Sequence, residues 1–359
     1  MRDVASLIIG WFLKNKRSLP WRKEKNAYHI LLSEIIMQQT RIEQGIPYFF
    51  KIIEAFPTIE TLAAADEELL LRYWQGLGYY SRAKNLHVAA KNIVENYNGL
   101  IPNSFSELKK MKGIGAYTAA AIASIAFDEP VPVIDGNVMR VVARLFAIED
   151  PVNETIGKNK IQTCLNTIFD TEQPGIFNEA IMEFGALQCV PSNPDCEKCP
   201  LTKHCAAHKM SKVNFLPLKR PLKKVKIRYL NYLFLLIEEH STLMKQRRTN
   251  DIWKNLYEFP LIETEQFLPE TILRSFDFWK SFSFLRSEKD ITFQQIIHYQ
   301  HKLTHRLLKI TFTLASMTSF CEQLPTDDFV IMTLSEAENK PKPILLAKFL
   351  DKVTNDKNL

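Results

Sequence analysis

Four of the six cysteines lie close together, in the pattern Cys189-x6-Cys196-x2-Cys199-x5-Cys205. Four thiolates in so short a loop can hold one tetrahedral metal ion or one cubane iron–sulfur cluster. In a cytosolic chain such a grouping favours a metal centre over disulfides. The spacing alone leaves structural zinc and an iron–sulfur cluster equally open. Either metal would fix the loop, so the cations between the ligands could be presented rigidly to phosphate groups.

The length and the charge of the chain limit the classes of protein to which it can belong. A chain of 359 residues is expected to form two or three domains. It holds no apolar run near the length of about 18 residues that spans a bilayer. Charges interrupt residues 1–16, and no cleavage site follows them. We therefore expect a cytoplasmic protein with no membrane partner, and its net charge of +6 favours a polyanionic partner.

The apolar period divides the chain into three parts. Residues 1–205 follow a helical period and predict an all-α domain. Residues 206–228 hold eight Lys and Arg residues and no acid, which predicts an exposed basic linker, either simply solvated or in contact with DNA. Residues 229–359 predict an α+β domain. The predicted elements are helices at 31–37, 46–55, 86–94, 105–112, 117–127, 138–147, 176–187 and 343–353, and strands at 229–237 and 306–314.

One carboxylate stands inside an apolar helical run, HILLSEIIMQQT at residues 29–40. The neighbours of Glu34 on the same helix face include Ile30, Leu31 and Met37, which are all apolar. Burial among such side chains raises the pKa of a carboxyl and keeps a proton on it near neutral pH. Glu34 is therefore a candidate general acid.

A second carboxylate opens a later helix, in the stretch VIDGNV. Asp135 is predicted to cap the helix at 138–147, and the helix N-terminus should stabilise its ionised form. Capping alone would be the default role of such a residue. Together with Glu34, however, it would form a pair of carboxyls whose pKa values are shifted in opposite directions, as glycosidic cleavage requires. The sequence by itself does not place the two residues near each other.

Two glycine-containing loops could meet DNA. Gly113 and Gly115 lie between two predicted helices and beside three lysines, which favours a phosphate-binding hairpin over an ordinary helix–helix turn. The stretch GLGYYSR holds Leu77 and Tyr79, whose side chains could wedge between the bases of a kinked duplex. The alternative for this second loop is that its aromatic side chains pack on the core.

Taken together, these stretches resemble the endonuclease III superfamily, and within it the MutY-type adenine DNA glycosylases. The matching segments cover most of residues 17–205, and as a set they are highly specific. They are LPWR (19–22), SEIIMQQT (33–40), GLGYYSRAKNL (76–86), GIGAYTAAAI (113–122), VIDGNVMRV (133–141) and NEAIMEFGA (178–186).

The resemblance implies a fold of two domains. The first, residues 1–205, would be an all-α helix–hairpin–helix domain with a six-helix barrel at 17–129 and an iron–sulfur domain built from 1–16 and 130–205. Its four cysteines would hold one 4Fe–4S cluster. After the linker 206–228, residues 229–359 would form a Nudix-like α+β domain that recognises 8-oxoguanine. That domain has no acid-rich helix after Pro260, so nucleotide hydrolysis is not expected from it.

The resemblance also implies residue roles. Glu34 would protonate adenine N7, and Asp135, supported by Asn137, would stabilise the sugar cation. Tyr117 lies where bifunctional relatives hold a Schiff-base lysine, and since it cannot form an imine, base excision without efficient strand cleavage is implied. The binding residues implied are Arg22, Trp21 and Glu179 at the adenine, Gln39, Thr40, Leu77, Tyr79, Gly113 and Gly115 on the duplex, and Thr304 and His305 at the 8-oxoguanine. Leu303 stands where the family has an aromatic residue.

The expected activity is therefore monofunctional excision of adenine opposite 8-oxoguanine or guanine in double-stranded DNA, by a monomer, in base excision repair. Three rivals differ in a feature of the sequence. An endonuclease III-like lyase would need a lysine at position 117. A non-catalytic iron–sulfur DNA-binding protein would not need the carboxyl pair. A nucleotide hydrolase would need the acid-rich helix that the C-terminal part lacks.

Overall fold

A computed structural model describes residues 2–221, 225–303, 305–317 and 328–355. The chain divides into two compact units. The N-terminal unit comprises Met1–Ala65 and Ser81–Pro221, and the C-terminal unit comprises Asp66–Tyr80 and Leu222–Leu359. Within the described ranges, none of the helices has the length and apolar character needed to cross a bilayer.

The chain up to residue 209 is helical, as its periodicity predicts. A helix predicted at 105–112 is shorter than expected and ends at Leu108, because the amides of Lys110 and Met111 bond to carbonyls three residues back and do not continue the α-helical pattern. The helices are α1 (Arg2–Asn15), α2 (Ala27–Met37), α3 (Ile42–Ala55), α4 (Ile59–Ala64), α5 (Glu67–Tyr73), α6 (Ser81–Tyr97), α7 (Phe105–Leu108), α8 (Ala116–Phe127), α9 (Gly136–Leu145), α10 (Thr155–Ile168), α11 (Pro174–Leu187) and α12 (Ala206–Lys209), with a 3₁₀ turn at Pro20–Arg22.

A single apolar cluster joins the first helix to the last long helices of the N-terminal unit. Ile8 and Phe12 of α1 are buried with Val142 of α9 and Phe184 of α11. The ring of Trp11 meets that of Phe184 edge-on, with centroids 5.1 Å apart. Residues far apart in sequence therefore share one core, which holds α9, the helix that begins after Asp135, against α1 and α11.

The first half of the predicted basic linker is packed. Leu216 accepts a hydrogen bond from buried Arg144 at 2.9 Å, and Leu218 accepts one from the amide of Val152 at 2.9 Å. Residues 226–228 belong to a strand, where Arg228 pairs with Glu263. Residues 226–228 therefore belong to a strand and not to a linker, whereas the side chains at 218–221 and 225–227 are exposed.

The segment Asp66–Tyr80 packs with the C-terminal unit, although its sequence lies within the predicted all-α domain. Two acids at the start of α5 explain this. Glu68 pairs with Lys340 at 2.7 Å, and Glu67 accepts a hydrogen bond from Asn255 at 2.6 Å. The periodicity could not predict these partners, because they lie some 190 to 270 residues away in the chain.

The C-terminal unit is built on a mixed sheet. Its elements are β1 (Lys226–Ile237), β2 (Ser241–Gln246), β3 (Tyr257–Glu258), β4 (Leu261–Thr264), α13 (Glu270–Leu273), α14 (Phe276–Trp279), β5 (Ile291–Lys302), β6 (Arg306–Met317), β7 (Val330–Thr333), α15 (Leu334–Asn339) and α16 (Ile344–Asn355). The strands follow the order β3-β2-β1-β6-β5, with β4 paired to β1 and β7 to β2. The long strands β1 and β6 are parallel, and the other pairs are antiparallel.

Each face of this sheet has its own core, because successive strand residues point to opposite sides. On one face Tyr232 is buried with Phe312, whose ring stacks on Phe349 of α16 at 3.9 Å. On the other face Leu233 is buried with Trp279 of α14. The strands at 229–237 and 306–314 and the closing helix at 343–353 are thus confirmed, each slightly longer or shifted.

Candidate active site

Glu34 lies on α2 between two cavities of the N-terminal unit. Asn26 caps this helix by accepting hydrogen bonds from the amides of Tyr28 and His29, at 2.9 and 3.1 Å. The apolar residues of α2 are buried, whereas Glu34 is half-buried. We call the two spaces it borders the inner pocket and the outer cavity.

The inner pocket has a volume of about 140 Å³. The three residues predicted to surround the adenine, Trp21, Arg22 and Glu179, all line it together with Glu34. The remaining wall is partly apolar and includes Ile30, Ile125, Ile176 and Met182. The space therefore combines apolar walls with a few charged groups, as a pocket that selects a flat polar ring would.

The outer cavity is larger, about 620 Å³, and more open. Besides Glu34 it is lined by Tyr117, Asp135 and Gln39. Both hairpin glycines, Gly113 and Gly115, are part of its wall, so residues from three separate stretches converge on one space. The two predicted catalytic carboxyls therefore border the same cavity, which the sequence could not establish.

Glu34 has the raised pKa that its apolar surroundings predict. Burial raises the pKa of its carboxyl to about 7, and the negative charges of Asp135 and Glu179 add to that effect. A hydrogen bond with Tyr117 and the charge of Arg22 act in the opposite direction. A carboxyl with this pKa holds its proton in a large fraction of molecules at neutral pH, as a general acid must.

Asp135 caps α9 as predicted, but the direction of its pKa shift is not the predicted one. Its carboxylate accepts hydrogen bonds from the Val138 amide and from the Asn137 side chain, both at 2.7 Å. Burial nevertheless raises its pKa, and these hydrogen bonds with the charge of Arg140 only reduce the rise. The prediction of opposite shifts is therefore wrong, because it counted the helix cap and not the burial.

The two carboxyls are still in different surroundings. Two hydrogen-bond donors, the Val138 amide and the Asn137 side chain, stabilise the charged form of Asp135, and the nearby cation of Arg140 does so as well. For Glu34 the hydrogen bond comes from Tyr117, a neutral group, whose own pKa burial raises well above its usual value. The environment thus favours a charge on Asp135 more than on Glu34.

Arg140 and Arg144 connect this site to the cysteine loop, and sequence reasoning missed both. Arg140 donates to Asn137 at 2.9 Å and to the carbonyl of Cys189 at 2.8 Å. Arg144, nearly fully buried, donates to the carbonyls of Val190 and Pro191 at 2.7 and 2.8 Å. The sequence does contain a signal for both, since a charged residue within an otherwise apolar helix needs a polar partner in the folded protein.

The four predicted cysteine ligands line one cavity, together with Arg144. None of the four forms a disulfide, and burial raises the pKa of Cys199 to about 11. In the described ranges no group of three His, Cys, Asp or Glu side chains is arranged as ligands of a single metal ion. The donor set suits iron, since four converging sulfurs are the ligands of a cubane cluster and its charge would offset the cost of ionising them.

The Gly113–Gly115 hairpin leaves a helix N-terminus open. Gly113 has a φ of +89°, and a Cβ there would stand 2.2 Å from the Cβ of Asn85. Gly115 begins α8 without a side-chain cap, and a Cβ on it would meet nothing within 4 Å. Uncapped amides with open space in front of them are suited to a phosphate.

The other predicted DNA contacts lie in three places. Gln39 is exposed with a φ of +58°, and Thr40 accepts a hydrogen bond from Arg82 at 3.1 Å. Leu77 and Tyr79 belong to the segment grouped with the C-terminal unit, where Leu77 is buried and Tyr79 is exposed. His305 is exposed in the turn before β6, and Thr304 lies outside the described residues.

Two arginines and two acids form an ion-pair network beside the inner pocket. Of these four residues, the sequence analysis identified only Arg22 and Glu179. Arg22 pairs with Glu179 at 2.8 Å and with Glu183 at 3.2 Å. Arg17 donates to both carboxylate oxygens of Glu183, at 2.8 Å each. Glu179 and Glu183 are four residues apart and share one face of α11, a spacing that could have indicated the second acid.

Glu183→Gln should destabilise the N-terminal unit in a pH-dependent way. Burial favours the neutral acid, but Arg17 and Arg22 overcome this and lower the pKa of Glu183 to about 2. Because the folded pKa is below the unfolded one, the stabilisation is present above the unfolded pKa of about 4.3 and is lost as pH falls toward 2. We expect a loss of about 3 kcal/mol at pH 7 for breaking this buried pair.

Urea unfolding followed by the helical circular dichroism signal at pH 7 and at pH 4 tests this prediction. The difference between wild type and Glu183→Gln should be smaller at the lower pH. Glu172→Gln, an exposed acid in the turn before α11, is the control. An equal difference at both pH values would contradict the assigned shift.

Comparison with known proteins matches two separate stretches of the chain to two protein families. Residues 32–163 match the model of the HhH-GPD superfamily base excision DNA repair proteins, and residues 232–352 match a NUDIX domain. An adenine DNA glycosylase of Buchnera aphidicola subsp. Schizaphis graminum is 33% identical over 88% of each chain. The Arabidopsis thaliana enzyme is 40% identical over 58% of this chain and 37% of its own length.

Solved structures agree on the fold of the N-terminal part. A thermostable thymine-DNA glycosylase superposes with a TM-score of 0.53 at 25% identity, over 58% of this chain and 97% of that one. A non-covalent endonuclease III–DNA complex superposes with a TM-score of 0.50 at 24% identity, over 58% and 95%. The architecture, the converging carboxyls and these similarities agree, and this chain belongs to the adenine DNA glycosylase family.

Proposed function

We propose that this enzyme removes adenine paired with 8-oxoguanine in double-stranded DNA, as a monomer, and that Glu34 and Asp135 carry the reaction. The observation that carries the proposal is the position of Glu34 between the inner pocket and the outer cavity. An extruded base in the inner pocket would place its sugar toward the outer cavity. The acid would then lie beside the bond to be broken.

In this proposal Glu34 supplies the proton. Its protonated carboxyl donates to N7 of adenine, which makes the base a neutral leaving group as the glycosidic bond lengthens. Arg22, Glu179 and Trp21 hold the base in the inner pocket. The acid–arginine network fixes Arg22 through Glu183, so the side chain that meets the base is already oriented.

Asp135 stabilises the sugar. As the bond breaks, the sugar acquires the character of an oxocarbenium ion, and a carboxylate facing it lowers the energy of that state. Asn137 holds the Asp135 carboxylate at 2.7 Å and is itself held by Arg140. Addition of water to the sugar then yields an abasic site, and the proton released from that water can return to the ionised Glu34.

Tyr117 makes the enzyme monofunctional in this proposal. It borders the outer cavity where an amine would be required for strand cleavage by a Schiff base. The expected result with a labelled adenine strand is cleavage only after alkali. Trapping of a covalent adduct by borohydride would contradict this assignment, since it requires an imine.

We also propose that Cys189, Cys196, Cys199 and Cys205 hold one 4Fe–4S cluster. The group would fix the loop and supply one-electron chemistry when bound. Within the chain, Arg144 already orders this loop through the carbonyls of Val190 and Pro191 and the Cys189 sulfur. Iron and sulfide analysis of anaerobically purified protein should give four of each per chain, and zinc in their place would contradict the proposal.

The C-terminal unit is the proposed reader of the opposing base. His305 is exposed in the turn before β6, and the neighbouring Leu303 packs against the core of that unit. Three duplexes that differ only in the base opposite adenine test this role. Single-turnover release should be fastest opposite 8-oxoguanine, slower opposite guanine and undetectable opposite thymine, and equal rates for the first two would contradict it.

The pH dependence of adenine release should reflect the two carboxyls. The active form has Glu34 protonated, so the single-turnover rate should fall as pH rises through about 7. It should also fall in acid, where Asp135 gains a proton, since burial raises the pKa of that group too. A rate that stays constant from pH 6 to pH 9 would exclude Glu34 as the acid.

A further inference from the structure

The loop that carries Leu77 and Tyr79 is held by the C-terminal unit. It follows α5, and both lie in the segment Asp66–Tyr80 that packs with residues after 221. The chain after Tyr80 returns to the N-terminal unit at α6. Residues 66–80 thus pack with a unit whose other residues begin more than 140 positions later in the chain.

Three side chains of the C-terminal unit contact the start of α5. Asn255 donates to Glu67 at 2.6 Å, and Lys340 pairs with Glu68 at 2.7 Å. Tyr257 donates to the second oxygen of Glu68 at 3.4 Å, and the Lys340 ammonium lies 4.8 Å from its ring centre. Glu67 and Glu68 are therefore both held by side chains of the C-terminal unit, and two of these side chains, Tyr257 and Lys340, also contact each other.

Backbone atoms of Lys342 hold the two ends of the loop. Its amide donates to the Gln75 side chain at 3.3 Å, and its carbonyl accepts from the Tyr80 hydroxyl at 3.0 Å. Within the loop, the Trp74 indole donates to the carbonyl of Gly78 at 3.1 Å. A loop tied at both ends and across its middle presents one conformation.

That conformation directs one aromatic side chain outward. Tyr79 is 44% exposed, whereas Leu77 and Tyr80 are 5% and 7% exposed. Gly76 and Gly78 have φ values of +98° and +77°, which glycine adopts without strain. Tyr79 is thus the most exposed aromatic side chain of this loop, and the loop that carries it is bonded at both ends to the backbone of Lys342.

We propose that Asn255, Tyr257, Lys340 and Lys342 form a docking surface for α5 and the loop at 74–80. This docking surface positions Tyr79, so that reading of the opposing base by the C-terminal unit is coupled to entry of Tyr79 into the duplex. The coupling rests on the proposed function, whereas the docking itself does not. These are positioning residues, since none of them borders the inner pocket or the outer cavity.

A charge exchange tests the docking without DNA. In the full chain, Glu68→Lys and Lys340→Glu each place like charges together, and the double variant restores an ion pair of reversed order. Hydrogen–deuterium exchange of the amides at 74–80 should become about fivefold to tenfold faster in each single variant, as expected for a partly exposed pair. In the double variant it should return close to the wild-type rate.

Tyr80→Phe provides a second, conservative variant, because it removes the hydroxyl that donates to the Lys342 carbonyl. That hydroxyl also accepts from the Gly76 amide at 3.4 Å, so the amide of Gly76 is left out of the comparison for this variant. It should also speed exchange at 74–80. The amides of α8 serve as the internal reference, and Lys352→Glu, an exposed residue of α16, is the matched control. Unchanged exchange at 74–80 in all three single variants would overturn the docking surface.

Single-turnover rates test the coupling. The variants should lose several-fold more rate with adenine opposite 8-oxoguanine than opposite guanine, so that the preference for 8-oxoguanine falls. Faster exchange with an unchanged preference would overturn the coupling and leave the docking in place. If wild type released no adenine from either duplex, the proposed function would fail, and the exchange data would still decide the docking.

Discussion

Glu34→Gln should lower the single-turnover rate of adenine release by about 10²- to 10⁴-fold, the usual loss when a general acid is removed. Glutamine keeps the size and hydrogen-bonding shape of the side chain but has no proton of suitable acidity to donate to N7. Because the change is nearly isosteric and removes a buried titratable group, it should not reduce stability. Binding of the duplex should be within about twofold of wild type, since phosphate contacts dominate affinity.

Glu24→Gln is the matched control, because Glu24 lines the same inner pocket but is exposed. It should retain most of the activity. Quenched-flow sampling of a labelled duplex measures the rate, and fluorescence anisotropy measures binding. If Glu34→Gln released adenine at more than a tenth of the wild-type rate, another group would have to supply the proton.

Asp135→Asn should have the second largest effect, a loss of about 10²- to 10³-fold, as expected when a preorganised charge is removed from a transition state. Asparagine caps helices as well as aspartate does, so α9 should remain intact. The variant therefore removes the charge that faces the sugar and keeps the backbone hydrogen bond to Val138. Circular dichroism should show an unchanged helix content.

The same variant has a second, independent consequence. Since the charge of Asp135 raises the pKa of Glu34, its removal should lower that pKa below the wild-type value of about 7. The alkaline limb of the residual rate should therefore move to lower pH. Asp150→Asn, on the surface of the same unit, should change neither the rate nor the pH profile. An unchanged alkaline limb in Asp135→Asn would show that the two carboxyls do not interact.

Much of the fold could be predicted from the sequence, because local patterns determine most of its elements. The helical period placed α2, α8 and α11, and the aromatic, β-branched runs placed β1 and β6. Prediction failed for residues 66–80, where a distant partner decided the outcome. Lys340 pairs with Glu68 of α5, which packs with the C-terminal unit. It also failed for the end of the helix predicted at 105–112, where turn bonds replace the helical pattern after Leu108.

The candidate site was predictable residue by residue but not as an arrangement. Glu34 could be identified because a carboxylate among apolar neighbours is unusual, and its pKa shift followed from the same reasoning. The predicted direction of the pKa shift of Asp135 is wrong, because burial depends on side chains that only the tertiary structure brings together. Glu183, Arg17 and Arg144 escaped notice for a similar reason, since each has partners distant in the sequence.

The mechanism depends on a proton that burial keeps on Glu34 near neutral pH. Infrared difference spectroscopy of the protonated carboxyl stretch as the pH is raised, comparing wild type with Glu34→Gln, measures this proton. We expect a band in wild type that disappears with a midpoint near pH 7 and is absent from the variant. If every carboxyl of the wild type had already ionised below about pH 5, as model carboxyls do, Glu34 would not be the acid.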